Sequence, residues 1–209
     1  MAKIRSSKIY DIQTYPQSEE FTSSAACALM VLKYINKEYK SNRAEEYKIW
    51  QEAVSGSIWH GSKYGLAYAL NKRGARVEIV SNNTKDEGYE KKLAVYEGIN
   101  LDTLRASFNE IRDKSRKARI KERGMQVTAN LIKKSINSGR IPIVLVNANA
   151  INPYLKASPH WVVVKGYDKD AFYMNDPYSD STITMENDVF KSAIGYENET
   201  HMISVSTRK

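Results

Sequence analysis

Residues 141–148 read IPIVLVNA, a run with almost no polar side chain. Taken as a strand it has no face to give to water, so it must lie inside a sheet whose two sides are both covered. The chain supplies the partners in a definite order. Strand patterns follow it: HWVVVKGY (160–167) and DAFYMNDP (170–177) on either side of Asp-Lys-Asp, then STITM (181–185) and a closing HMISVS (201–206). Helical patterns dominate the part before it. Helices first and then an antiparallel set of strands is an α+β arrangement rather than a doubly wound sheet.

The helical part is legible from spacing. KIYDIQTYP (8–16) is a short extended lead-in ended by Pro16. Thr22, Ser23 or Ser24 then caps a helix in which Cys27, Met30, Val31, Tyr34 and Ile35 recur at threes and fours. A second helix covers about 43–54, with Tyr47, Ile49, Trp50 and Ala53. A third covers about 61–73, with Tyr64, Leu66, Ala67 and Leu70 inward and Gly74 as its stop. ARVEIV (75–80) is a strand by its β-branched alternation. Residues 84–123 are charged and helical in period, with Leu93, Tyr96, Leu101, Leu104, Phe108 and Ile111 as the apolar stripe and Gly98 or Asn100 as a break. Short helices are also expected over 131–139, stopped by Gly139, and near 186–194. At 209 residues the chain is read as one domain, 1–209, with a charged helical insert at about 84–125 that forms an outer layer or flanks the substrate.

Several function classes drop out on composition. One cysteine cannot form an internal disulfide, and three scattered histidines give no zinc set, so neither a metal nor a cofactor is expected. No window of about 18 apolar residues occurs and the N-terminus has no apolar signal core, so the protein is expected to be cytoplasmic and not membrane-inserted. The formal net charge is +8, much of it in RDKSRKARIKERG, where Arg112, Lys114, Arg116, Lys117, Arg119, Lys121 and Arg123 crowd together. That run is either a solvated helix face or a footprint for an acidic partner such as RNA or the ribosome surface. No aromatic is interleaved in it, so base stacking there is unsupported and nucleic acid is the less expected partner.

Chemistry concentrates at three places. If the hairpin after HWVVVKGY turns on Asp168 and Lys169, Tyr167 faces Asp170 and His160 faces Pro177, with Asp176 beside it. A carboxylate that fixes an imidazole's tautomer and stabilises the imidazolium is the base-and-orienter half of a nucleophilic site. A surface ion pair at a strand end is the plainer reading of the same two residues. Ser23 occupies the first turn of the first helix, where free backbone N–H groups and the positive dipole end favour a nucleophile and an oxyanion. Cys27 lies one turn behind it and is expected to be buried. Gln17, six residues before Ser23, carries an amide able to donate to the same oxyanion. Ser24, Trp161 and His60 are candidate substrate-binding residues, with Trp161 packed beneath the site and His60 equally readable as a structural loop histidine.

The order of Gln, five residues, nucleophile at a helix start, later His strand and Asp strand resembles papain-like cysteine peptidases. QSEEFTSSAACALMVLKY, IPIVLVN…SPHWVVVKGYDKDAFYMNDP and IWQEAV…YGLAYALNKRGARVEIV are similar to the bacteriocin-processing, double-glycine leader peptidases and their stand-alone cytosolic relatives, over roughly 12–80 and 131–178. The resemblance implies a peptide or protein substrate cleaved after small residues through an acyl intermediate. It puts Ser23 where that family has its catalytic cysteine and Cys27 where it often has a second one. The alternative register, with Cys27 as nucleophile, places Phe21 where the oxyanion donor belongs. A serine is far harder to ionise than a thiol, so a site tuned for a thiolate–imidazolium pair is expected to be weak or silent. Either Ser23 is an engineered replacement of cysteine, or the chain is a natural pseudo-enzyme or serine variant. A peptide-binding module without turnover and an amide-forming transferase are the alternatives to hydrolysis.

Overall fold

The computed structural model describes residues 7–54, 59–85 and 89–207. A two-residue strand β1 (Lys8–Ile9) leads through irregular chain into helix α1 (Ser23–Ile35), followed by α2 (Arg43–Ala53) and α3 (Lys63–Lys72). Strand β2 (Val77–Ser81) precedes α4 (Tyr89–Glu97), α5 (Leu101–Lys117) and β3 (Lys121–Gly124). Then come α6 (Ala129–Asn137), β4 (Arg140–Asn147), α7 (Ala148–Ile151), β5 (Pro159–Tyr167), β6 (Ala171–Asp176), β7 (Ser181–Glu186), α8 (Asn187–Ala193) and β8 (His201–Ser206).

The sheet runs β3-β2-β8-β4-β5-β6-β7, with β1 joined to the far end of β5. Six of β4's eight residues are buried, as a strand apolar on both faces must be, and α1 and α6 pack against this central region. The fold class is α+β. Among the described residues all strand pairs but one are antiparallel; the exception to the expected sheet is β2 with β3, which run parallel. The segment expected to be wholly helical over 84–123 therefore ends in an edge strand. Its break falls where the sequence placed it, with Gly98 at φ +67° and Asn100 capping α5 through Asp102 and Thr103. Leu93, Ala94, Leu104 and Phe108 form a small core of their own, while Ile111 joins the main one. The side chain of Tyr96, assigned to the same stripe, lies outside the described residues, as do Ser57 and Ile58 before His60.

Gly74 and Gly139 both take positive φ just past a helix end, the role their positions demanded. The β5–β6 hairpin departs from the expected register. Tyr167 faces Phe172, not Asp170, and Val163 faces Asn175. Two features cause the shift. The Asp168 carboxylate accepts from the backbone N–H of Asp170 (2.9 Å) and Ala171 (2.8 Å), which widens the turn. A bulge between Val164 and Gly166 then changes the pairing by one residue.

Candidate active site

The site grows from the loop that delivers α1. Glu46, buried on α2, accepts from the Ser18 backbone N–H (2.8 Å), the Ser18 hydroxyl (2.6 Å) and the Tyr15 hydroxyl (3.2 Å). The Gln17 backbone N–H donates to Pro177 O at 2.9 Å, tying the same loop to the end of β6. Thr22 stands at the N-cap, but its hydroxyl turns backwards, donating to Glu19 O and accepting from Glu19 N, and makes no capping bond to the helix. The head of α1, beginning at Ser23, thus keeps its N-terminal dipole uncovered by its own cap side chain. Gln17 Nε2 donates one hydrogen to Glu19 O at 2.9 Å and retains a second.

Ser23 is buried and lines a small enclosed cavity. Cys27, one turn on, is fully buried, and its Sγ donates to Trp161 O at 3.2 Å. Burial, and then the negative charge of Asp176, push its thiol well above the ordinary value. It packs inside the main core. Its bond to Trp161 also sets α1 against the start of β5, where the neighbouring residue is His160.

His160 Nε2 and Asp176 Oδ1 are 2.7 Å apart, both side chains buried. Asp176 also accepts from the N–H of Tyr178 (3.0 Å, Oδ1) and Ser179 (3.1 Å, Oδ2). Burial acts to raise its pKa, but the His160 bond and charge, with these backbone donors, hold the carboxyl below the usual range. The register shift is what makes the contact: with Val163 facing Asn175, Asp176 falls on the same face of the sheet as His160, as its diagonal neighbour, whereas the expected register put the two on opposite faces. With Nε2 committed to the carboxylate, Nδ1 is the ring nitrogen left for proton transfer.

Gln17 and His160 line an open cleft of about 560 Å³ with Phe21, Trp59, Tyr154 and Tyr178. This cleft and the cavity at Ser23 share His60 and Pro159 in their walls; Ser23 lines only the cavity, and Gln17 and His160 only the cleft. Of the candidate substrate contacts, His60 lines both parts. Trp161 lines only the inner cavity, where its Nε1 donates to Gly61 O at 3.1 Å. Ser24 lines neither: its hydroxyl is buried, without a hydrogen-bond partner, against Gly61. Among the described residues no group of three or more His, Cys, Asp or Glu is placed to hold a metal. No helix among them is long and apolar enough to cross a membrane.

Sequence reading overlooked Glu46, although it sits three residues before Ile49 and seven before Ala53 on the inward stripe of α2, where a carboxylate must have partners. It also overlooked the reach of Leu93 and Phe108 to the cavity at Ser23.

The model of the Peptidase_C39 like family matches residues 12–209. The chain belongs to that family. The match includes the charged segment 84–125 and everything after 178, both of which the sequence resemblance had left uncovered. A solved structure from Bacillus anthracis described as a C39-like peptidase superposes with a TM-score of 0.58 at 14% identity, covering 97% of this chain and 98% of that one. The double-glycine motif protease of an AMS/PCAT transporter, solved in complex with the leader peptide, gives 0.49 at 14% identity over 95% and 94%. No curated protein matches the chain. The Bacillus anthracis likeness shows the C39-like peptidase fold; membership of the family makes the chain peptidase-like.

Proposed function

We propose that the chain is built to cleave a peptide through an acyl intermediate, and that Ser23 holds it in a silent or very slow form. The buried His160–Asp176 pair at the mouth of a cleft, beside the open head of α1, is the observation that carries this reading. In the reaction Nδ1 of His160 takes the proton of the attacking group and later returns it to the leaving amine. Asp176 fixes the ring and stabilises the imidazolium. The spare N–H of Gln17 and the backbone N–H at Ser23 hold the oxyanion. Ser23, Gln17, His160 and Asp176 are the catalytic set, His60 a cleft-wall contact, and Trp161 and Ser24 supports beneath it. The protein acts in the cytoplasm, and the basic run 112–123 is a docking face for an acidic partner.

The direct test is Ser23→Cys assayed on peptides with a fluorogenic leaving group. Activity is expected to appear in that variant and to vanish in Ser23→Cys/His160→Ala. Iodoacetamide should alkylate the introduced thiol quickly and leave Cys27 protected until the protein unfolds. Fast labelling of Cys27 while the introduced thiol stays inert would overturn the register.

A non-catalytic reading is favoured by Ser23 alone. Peptide binding by the unmodified chain that survives His160→Ala would support it.

A further inference from the structure

The path of the sheet ends at β3 and β7, and β3 pairs with β2 on one side only among the described residues. It is also where the charge of the basic run is left over. Lys114 pairs with Glu110, Arg116 with Asp113 and Arg123 with Glu78, and Arg112 donates to Asn109. Lys117, Arg119 and Lys121 are exposed and make no ion pair among the described residues. Arg119 holds φ +57°, a conformation suited to glycine, at the corner where α5 turns into β3. Strand alternation sorts the rest. Glu122 points inward, where the Tyr64 hydroxyl donates to it at 3.0 Å, so Lys121 and Arg123 project from the opposite face. On that face Arg123 and Arg140 share one carboxylate, Glu78, at 3.1 and 3.9 Å, and Lys121 stands opposite the same residue in register.

We propose that the outer edge of β3 docks an extended acidic segment of another protein, which joins the sheet as an added strand. The proposal rests on the reading of the basic run as a face for an acidic partner and supplies the geometry of that contact. An unpaired strand edge is a template for a further strand. Its cations repel a second edge of the same kind and attract an acidic one, so the charge that guards the edge also selects its partner. The run has no aromatic to stack on a base, which favours a peptide over RNA as the occupant. The residues of the added strand that oppose Lys121 and Arg123 are two positions apart. Acids are therefore expected at every second position, and the residue between them lies on the face of Glu122, where a third acid would be repelled.

The probes are a fluorescein-labelled peptide of four Thr-Glu repeats, a peptide of the same composition with its Glu residues in one block, and a labelled uridine octamer. Each is titrated with the unmodified chain at low salt and followed by anisotropy. The alternating peptide is expected to bind at least about fivefold more tightly than the block peptide. Amide hydrogen exchange over 121–124 should slow when it is bound. Arg119→Glu/Lys121→Glu should weaken its binding at least about tenfold. Lys121→Gln should weaken it part-way and serves if the double variant does not fold by thermal melting. Equal affinity for the two peptides, with exchange over 121–124 unchanged, overturns strand addition while leaving docking by charge standing. Absence of binding by either peptide overturns the acidic-partner reading itself. Tighter binding of the uridine octamer than of the alternating peptide assigns the run to RNA and overturns the proposal.

Discussion

Replacing Asp176 with Asn tests whether the buried pair is held by charge. The side chain is fully buried, and as a carboxylate it accepts from His160, Tyr178 N–H and Ser179 N–H. An amide of the same shape has one acceptor oxygen. If that oxygen keeps His160 and Tyr178, the NH₂ group faces the Ser179 N–H, donor against donor. One backbone bond, worth about 1 kcal/mol, is then lost, and two others drop from charge-assisted to neutral strength, which together comes to about 2–4 kcal/mol at pH 7. The pH dependence follows from the direction of the shift. Burial opposes ionisation of Asp176, but His160 and the backbone donors outweigh it, so its folded pKa lies below the ordinary 3.8. A carboxyl shifted downwards stabilises the fold in full above its unfolded value and loses that contribution as pH falls through the folded one. The stability gap between parent and Asp176→Asn should therefore stay constant from pH 7 to about 5 and narrow below about 4. Urea unfolding followed by tryptophan fluorescence at each pH measures the gap directly, with equal m-values as the check on two-state behaviour. A gap under about 0.5 kcal/mol at pH 7, or one that widens at pH 3, would refute the electrostatic account.

Two further substitutions probe the scaffold behind the site. Glu46→Ala leaves three donors of the Tyr15–Ser18 loop without their acceptor and should cost about 3 kcal/mol in urea unfolding, with Glu46→Gln recovering part of it. Unchanged stability in Glu46→Ala would show that water replaces the carboxylate fully. Gly65→Ala drives a methyl group into the backbone carbonyl of Ala53, so α2 and α3 must separate. A loss of about 2–3 kcal/mol is expected, and a neutral result would mean that the two helices are not in close contact.

What could be read in advance depended on whether a residue's role is written in local pattern. The spacing of Cys27, Met30 and Val31, the Gly74 and Gly139 stops and the apolar run of β4 each state their structure within a few positions. Lys121–Gly124 does not: KERG carries no apolar alternation, because an edge strand owes its shape to its pairing with β2, and its inward Glu122 is half-buried only because the Tyr64 hydroxyl donates to it. The β5–β6 register was hidden for a similar reason. The bulge lies at Gly166, where β1 crosses so closely that a methyl group would meet the Ile9 backbone, and β1 is more than 150 residues away in sequence. His160 and Asp176 could be set at one end of the sheet from sequence, but the expected register put them on opposite faces, and the one-residue shift is what turns the carboxylate to the ring. Glu46 and Phe108 could not be assigned to the site, since each reaches it only through helix packing.

The sheet order has a consequence for synthesis on the ribosome. Strands β2 and β4 are separated by some sixty residues and never pair with each other; β8, which emerges after both, hydrogen-bonds to each. Until translation has delivered that strand, the nascent polypeptide holds two half-sheets with bare inner margins. The seam is closed last, by the segment that also carries His201 into the wall of the inner cavity.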